Sequence, residues 1–409
     1  MKDTIYKVYI VNIGNELLTG RTVNTNLTTL ANKLLPIGYE ITEAYIIPDT
    51  KEAIQETLKK VWRDNSIVIF TGGLGPTKDD ITKTTLADFF QKELIYHEEI
   101  FEMIKDRFAN RKMEMPEQNK IQAFIPKDFT PLLNTQGTAP GMYFHSEKRH
   151  LFSLPGVPFE MVHLFDTYVI DILKNISSDL KFYTKELNTY GIGESKTAEL
   201  LENLVLEDGV NISWLPHLGR VDIRLSGQNL VGIEKTLKDI QKILGKYIWG
   251  NGYKHPIEPL HLELIKRNLT ISTAESCTGG MLSSLLTKTQ GASKYFMGSV
   301  VSYSNEIKIN ILAVSPETLI KYGAVSEETA LEMLSGCKKL FNTDISCVIT
   351  GIAGPDGGTE KKPVGTVYIG VDFQGKIRVE KCLFAGSREQ IRQRAVEKAI
   401  FMVIEDIDN

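Results

Sequence analysis

The residue best placed to do chemistry is Ser276, set in ISTAESCTGG over 271 to 280, where an apolar run ends in Glu275, Ser276, Cys277 and Thr278. Two glycines then lead into MLSSLLTKT, so the hydroxyl falls at the start of a helix. Unpaired backbone N–H groups and a partial positive charge gather at such a start. They can stabilise an oxyanion beside an attacking serine, with Thr278 and Gly279 close to whatever is bound. Hydroxyls that only cap a helix are commoner, so a nucleophile needs partners elsewhere in the chain. Val300 to Tyr303 reads as a strand and Ser304 as the cap of a helix NEIKINIL, which puts Lys308 about one turn inside that helix. A lysine deprived of water can lose its proton and act as a base, with Tyr303 relaying or orienting the transfer. The plainer alternative is a surface lysine beside a half-buried tyrosine. Cys277 is the rival nucleophile by chemistry, but its turn is rich in hydroxyls and has no nearby histidine to make a thiolate pair.

Four further stretches suit anions or a cation. GIAGPDGG at 351 to 358 links two strand-like runs, and Gly351, Gly354 and Gly357 leave its backbone free to cradle phosphate. Ser387 opens a last helix in which Arg388 and Arg392 lie one turn apart on one face, as an anionic ligand requires, though solvated arginines show the same spacing. Near the other end, GNELLTG at 14 to 20 presents Asn15 and Glu16, and TGGLGPTKDD at 71 to 80 presents Gly72, Gly73 and Gly75. There Pro76 stiffens the turn, and Thr77 could cap the next helix or bind phosphate. Asp80 could hold a hard cation with Asp49 of IIPDT as a second ligand, since two carboxylates serve a divalent ion better than one; each also suits a helix cap.

The elements that must position these residues alternate. Tyr6 to Ile13, Ile41 to Ile47 and Ser66 to Phe70 read as strands, separated by helices at Thr25 to Leu35 and Lys51 to Trp62. Such βαβ units predict a mostly parallel sheet covered on both faces, with ligands gathered where the strands end. After residue 171 the character shifts: KFYTKELNTYG reads as a strand, GESKTAELLENLV as a helix and SWLPHLGRVDIRLSG as a hairpin. GIGE at 191 to 194 is similar to the backbone-clamping loop of single-strand RNA modules but lacks flanking basic residues, so a spacer or dimerisation module fits better than nucleic-acid binding. Alternation returns in the last third, where VSEETALEMLSGCKKLF is a capped amphipathic helix. The expected fold class is therefore α/β: two doubly wound α/β domains, 1–170 and 253–409, joined by a small α+β module at 171–252.

A length of 409 residues calls for two or three domains, and a net charge of -4 without basic runs gives no nucleic-acid footprint. Four cysteines without close pairs fit a reducing cytosol better than zinc or a redox motif. The start, MKDTIYKVYIVNIG, alternates like a strand and carries no signal-peptide core, and no apolar stretch is long enough to span a bilayer. A soluble, cytoplasmic protein without membrane partners is expected.

GNELLTG, TGGLGPTKDD, GTAPGM and LPGVPFEM occur in this order, and over residues 4 to 170 the chain resembles the molybdopterin-binding-like domain of the competence/damage-inducible protein (CinA) family. That resemblance implies metal-dependent hydrolysis of ADP-ribose, with Mg, Mn or Co as the divalent ion. The family's glycines carry over to Gly72, Gly73 and Gly75, its acidic position to Asp80 and its upstream loop to Gly14, Asn15 and Glu16. Over residues 258 to 405, AESCTGG, GSVVSYSNEIK, GAVSEETA and GIAGPDGG with KPVGTV resemble the CinA carboxy-terminal domain, whose characterised members are nicotinamide-nucleotide amidohydrolases. By that resemblance Ser276, Tyr303 and Lys308 convert nicotinamide mononucleotide (NMN) to nicotinate mononucleotide and ammonia without a cofactor. The small-molecule partners are then NMN and ADP-ribose, and the expected assembly is a homodimer. A binding or scaffolding role in DNA uptake or damage response, as the family name suggests, and simple molybdopterin binding are the alternatives.

Overall fold

The computed structural model describes residues 6–176 and 182–408. Met1 to Ile5, which open the alternating N-terminal run, and Lys181 of KFYTKELNTYG lie outside the described residues. The chain packs as two compact units, Met1–Thr184 with Asp208–Val210 and Ser226–Ile233, and Lys185–Glu207 with Asn211–Leu225 and Glu234–Asn409.

The first unit contains strands β1 (Lys7–Ile13), β2 (Ile41–Ile47), β3 (Ser66–Thr71), β4 (Leu94–Tyr96), β5 (Phe124–Pro126), β6 (Thr130–Leu132), β7 (Gly141–Ser146) and β8 (Arg149–Leu154). Six of them form one sheet in the order β2-β1-β3-β8-β7-β6, and β4 pairs with β5 apart from it. β2, β1, β3 and β8 run parallel, whereas β7 and β6 add antiparallel at one edge. Side chains alternate across a strand, and here both sides are apolar. Val8, Ile10, Ile67 and Ile69 enter a layer with Leu30, Leu34, Met161 and Phe165, while Val11, Val68 and Phe70 enter the opposite layer with Ile54, Leu58, Leu86 and Ile104. Each such fully buried side chain contributes about 1.5–3 kcal/mol. The parallel strands all end at one edge, where the glycine loops emerge.

The middle sheet, with β9 (Tyr183–Thr189), β10 (Val210–His217), β11 (Arg220–Gly227) and β12 (Ile248–Gly250), has the order β10-β11-β9-β12. Most of it belongs to the second unit. The rest of that unit carries β13 (Ile271–Glu275), β14 (Phe296–Val301), β15 (Ile345–Gly351), β16 (Thr366–Phe373) and β17 (Lys376–Leu383), in the order β14-β13-β15-β16-β17. Ile271, Ile345, Ile349 and Ile369 face a layer with Leu264, Leu286, Ala399 and Val403; Ala274 and Val348 face another with Leu312, Met333 and Leu334. In the parallel ladders Glu275 lies opposite Val301 of β14 and Ile349 of β15. Only β14, β13 and β15 are parallel, because β16 and β17 form an antiparallel hairpin. Its two loop residues, Gln374 (φ 51) and Gly375 (φ 91), take the left-handed conformations that a tight hairpin needs.

Caps follow the sequence closely. Ser304 Oγ accepts from Ile307 N at 3.3 Å at the head of the helix Asn305–Leu312, and Ser326 Oγ accepts from Thr329 N at 3.1 Å at the head of Glu327–Phe341. Thr77 is no cap: the next helix begins at Thr82, and the threonine hydroxyl turns back to Asp80. Among the described residues no helix is long and apolar enough to cross a membrane.

Candidate active site

Ser276 is the first residue past β13, and its N–H donates to Ile349 O at 2.9 Å, which pins the turn to β15. Its partner comes from the other side of the sheet edge. Ser302, just past β14, donates its N–H to Glu275 O at 2.7 Å, and the capped helix that follows carries Lys308. Lys308 is 1% exposed, and its Nζ donates to Ser276 Oγ at 3.1 Å and to Ser302 O at 2.6 Å. Burial disfavours the charged ammonium and holds its pKa below the ordinary lysine value, with nearby Cys277 acting in the opposite sense. A serine residue 9% exposed, with its hydroxyl beside a desolvated amine, is an arrangement that allows proton abstraction from oxygen.

Three N–H groups at the helix start are taken by a side chain of the protein itself. Glu275, 0% exposed, accepts from the backbone N–H groups of Gly280 at 3.0 Å, Leu282 at 3.1 Å and Ser283 at 2.8 Å, and from Ser283 Oγ at 2.5 Å. A protein carboxylate thus already meets the positive end of the Met281–Leu286 helix. The role of Glu275 was missed in the sequence, although the glutamate sits immediately before the serine. Cys277 points into the apolar core, where burial pushes its thiol up to about 11, so it holds no thiolate near neutrality.

Tyr303 stands apart from this pair. It is 63% exposed, and among the described residues it makes no hydrogen bond to Ser276 or Lys308. Arg388 Nη2 donates to its hydroxyl at 3.0 Å, while Arg388 Nη1 donates to Gly354 O at 2.7 Å, so one guanidinium ties Tyr303 to the glycine loop. Arg392 Nη2 donates to Thr278 O at 2.8 Å, its Nη1 pairs with Glu389 at 2.9 Å, and it lies over Gly279. The hydroxyl of Thr278 is buried without a hydrogen-bond partner among the described residues. Gly351 packs tightly on Val367 of the next strand, whereas a side chain at Gly357 would meet only Ile352.

In the first unit the strand ends build a cleft of about 490 Å³, lined among others by Gly14, Glu16, Asp49, Gly72, Gly73, Gly75, Asp80 and Glu160. Asn15 and Thr77 act behind the lining through the two aspartates. Asp49 Oδ2 accepts from Asn15 N at 2.8 Å, and Asp80 Oδ2 accepts from Thr77 N at 2.9 Å and Thr77 Oγ1 at 2.5 Å. Gly72 has φ 106, and a side chain there would strike Ile13 O. No three His, Cys, Asp or Glu side chains gather as a metal cluster among the described residues. A hard cation such as Mg²⁺ is commonly held by one or two carboxylates together with substrate phosphates, and Asp49 and Asp80 supply that donor set at one cleft.

Fold and sites together define a multidomain α/β protein with a strand-end cleft and a serine–lysine centre among the described residues. Residues 9–175 match the family model described as a probable molybdopterin binding domain, 184–250 that of the damage-inducible protein CinA KH domain, and 255–407 that of the CinA C-terminal domain. A CinA-like protein of Kosmotoga olearia is 40% identical over 406 residues, covering 97% of this chain and 98% of its own. A putative competence-damage inducible protein of Clostridium botulinum strain Loch Maree is 40% identical over 405 residues, covering 96% and 98%. A crystal structure of a CinA superfamily protein from Klebsiella pneumoniae is 36% identical, covers 37% of this chain and 96% of its own, and has a TM-score of 0.37. The chain belongs to the competence/damage-inducible protein (CinA) family.

Proposed function

We propose that the second unit is a nicotinamide-nucleotide amidohydrolase and that the first unit cleaves ADP-ribose with the help of a divalent cation. The observation that carries the first activity is the buried Lys308 Nζ at 3.1 Å from Ser276 Oγ. Neutral Lys308 takes the serine proton as Oγ attacks the carboxamide carbon of NMN, and returns it to nitrogen as ammonia leaves. Water then attacks the nicotinoyl ester carbon: Lys308 accepts the water proton, the bond to Ser276 Oγ breaks, and Lys308 returns the proton to Oγ as nicotinate mononucleotide leaves. Tyr303, held by Arg388, orients the substrate side of the centre. All four cysteines are free thiols, in keeping with a reducing cytoplasm.

In the first unit Asp49 and Asp80 are the residues that would hold the cation, which when bound neutralises diphosphate charge. The protein's own part is to narrow the cleft with glycine loops and to keep Asp80 oriented through Thr77. Ammonia release from NMN by the purified chain, and phosphate-ester products from ADP-ribose across a series of metals, test the two activities separately. No ammonia from folded protein would remove the first, and no cleavage with any divalent ion the second.

A further inference from the structure

The cleft of the first unit is lined by a further carboxylate besides Asp49 and Asp80. Glu160 lies in the helix Pro158–Leu164 and lines the cleft together with Asp49 and Asp80. Asn134, 0% exposed, holds it in place. Asn134 Nδ2 donates to Glu160 Oε2 at 2.6 Å and to Ala139 O at 2.9 Å, while its Oδ1 accepts from Gln136 N at 3.0 Å and Gly137 N at 2.9 Å. The amide thus spends its two donors and two acceptor positions on one loop and one carboxylate oxygen. Residue 137 is glycine where a Cβ would overlap the Glu160 carboxylate. From the other side Arg107 Nη1 donates to Thr135 O at 2.9 Å, a second Arg107 donor reaches Gln136 O, and Thr135 Oγ1 lies 2.9 Å from His163 Nε2. A carboxylate fixed this firmly at a cleft wall, with one oxygen committed to an amide, is built for orientation more than for charge.

We propose that Glu160 is the proton acceptor for the water that attacks a substrate diphosphate in this cleft, and that Asn134 is its positioning residue. The inference rests on the ADP-ribose hydrolysis proposed above. The water oxygen bonds to one phosphorus, its proton passes to Glu160, and the bond from that phosphorus to the bridging oxygen breaks with the electron pair leaving on the departing phosphate. Burial raises the Glu160 carboxyl above the usual range, while the Asn134 hydrogen bond, Arg107 and Arg111 pull it down; burial is the largest influence. His163 lies behind the same loop, and Glu16, Asp49, Asp79 and Asp80 line the cleft with it. The carboxylate must be ionised to accept the proton, so hydrolysis rises with pH through this raised value.

The test uses the full chain with Mg²⁺ and ADP-ribose. Glu160→Gln is expected to lower kcat by about 10²–10⁴-fold and to abolish the acid limb of the pH profile. ADP-ribose affinity measured by calorimetry, and the melting temperature, should stay at wild-type values. Asn134→Asp places a second carboxyl against Glu160 and should move the acid limb to higher pH in protein that still melts cooperatively. A Glu160→Gln enzyme within threefold of wild type, or one losing affinity as much as kcat, overturns the proposal and leaves Glu160 a binding or structural group. If Gln at 160 fails to fold, Glu160→Asp, with its carboxylate withdrawn by one methylene, must show the kcat loss. A wild-type chain that binds but never cleaves ADP-ribose overturns the hydrolase reading itself, an outcome distinct from an active enzyme indifferent to Glu160.

Discussion

Removing Lys308 tests the serine–lysine centre most directly. Its Nζ lies 3.1 Å from Ser276 Oγ, inside the reach of a working general base, and the pair is shut away from solvent. Loss of such a base costs about 10²–10⁴-fold, which at 1.36 kcal/mol per decade is about 2.7–5.4 kcal/mol of barrier. Lys308→Ala and Ser276→Ala should each bring ammonia release from NMN close to background. The double variant should be little worse, because residues that act as one unit do not lose activity additively. Since the folded lysine pKa is lowered, the neutral, competent form gains population at lower pH than for an exposed lysine. Activity should climb with pH through that value and then level, and the climb should vanish in Lys308→Ala. Lys308→Arg should not restore it, because a guanidinium stays charged. The readings are steady-state ammonia release across pH and mass spectrometry for a nicotinoyl ester on Ser276. Losses that multiply in the double variant, or an unchanged pH limb without Lys308, would refute the shared proton path.

Three other outcomes follow from the same contacts. Glu275→Gln replaces an acceptor-only group by one whose NH₂ must face an N–H, so a cost of about 1–3 kcal/mol is expected in urea unfolding, with deamidation falling as the Ser276 turn loosens; unchanged stability would end the capping role. Arg388→Ala and Tyr303→Phe should lower kcat/KM for NMN by similar factors and combine less than additively, since one hydrogen bond joins the two residues; full activity in Tyr303→Phe would leave the tyrosine without a part. Asp80→Ala should stop ADP-ribose cleavage and leave deamidation untouched, whereas undiminished cleavage would take Asp80 out of cation binding.

Much of this was legible because the signals were local. The Ser304 cap places Lys308 one turn along its helix, and the turn after an apolar strand places Ser276, so both positions are readable from spacing. What brings them into contact is the parallel register of β13 and β14, which no local pattern specifies. The clamp of Glu275 on amides five to eight residues ahead looks in sequence like any acidic residue near a short helix. Asn134 and Glu160 are 26 residues apart, and Tyr303 and Arg388 are 85 apart, so their pairing is a product of the folded chain. The β16–β17 hairpin did carry a local signal, the Gln374–Gly375 turn, which the βαβ pattern around it overshadowed.

Among the described residues β14 is an outermost strand of its sheet and pairs with β13 alone. Lys308 depends on that strand for its place beside Ser276, since Ser302 at its end anchors both the strand and the lysine. Proteins open locally at free energies below that of global unfolding, in units with few buried apolar contacts. The contact between Ser276 and Lys308 thus depends on an edge strand of this sheet. Opening that one ladder would part Lys308 from Ser276 without disturbing the pairing of β13 with β15.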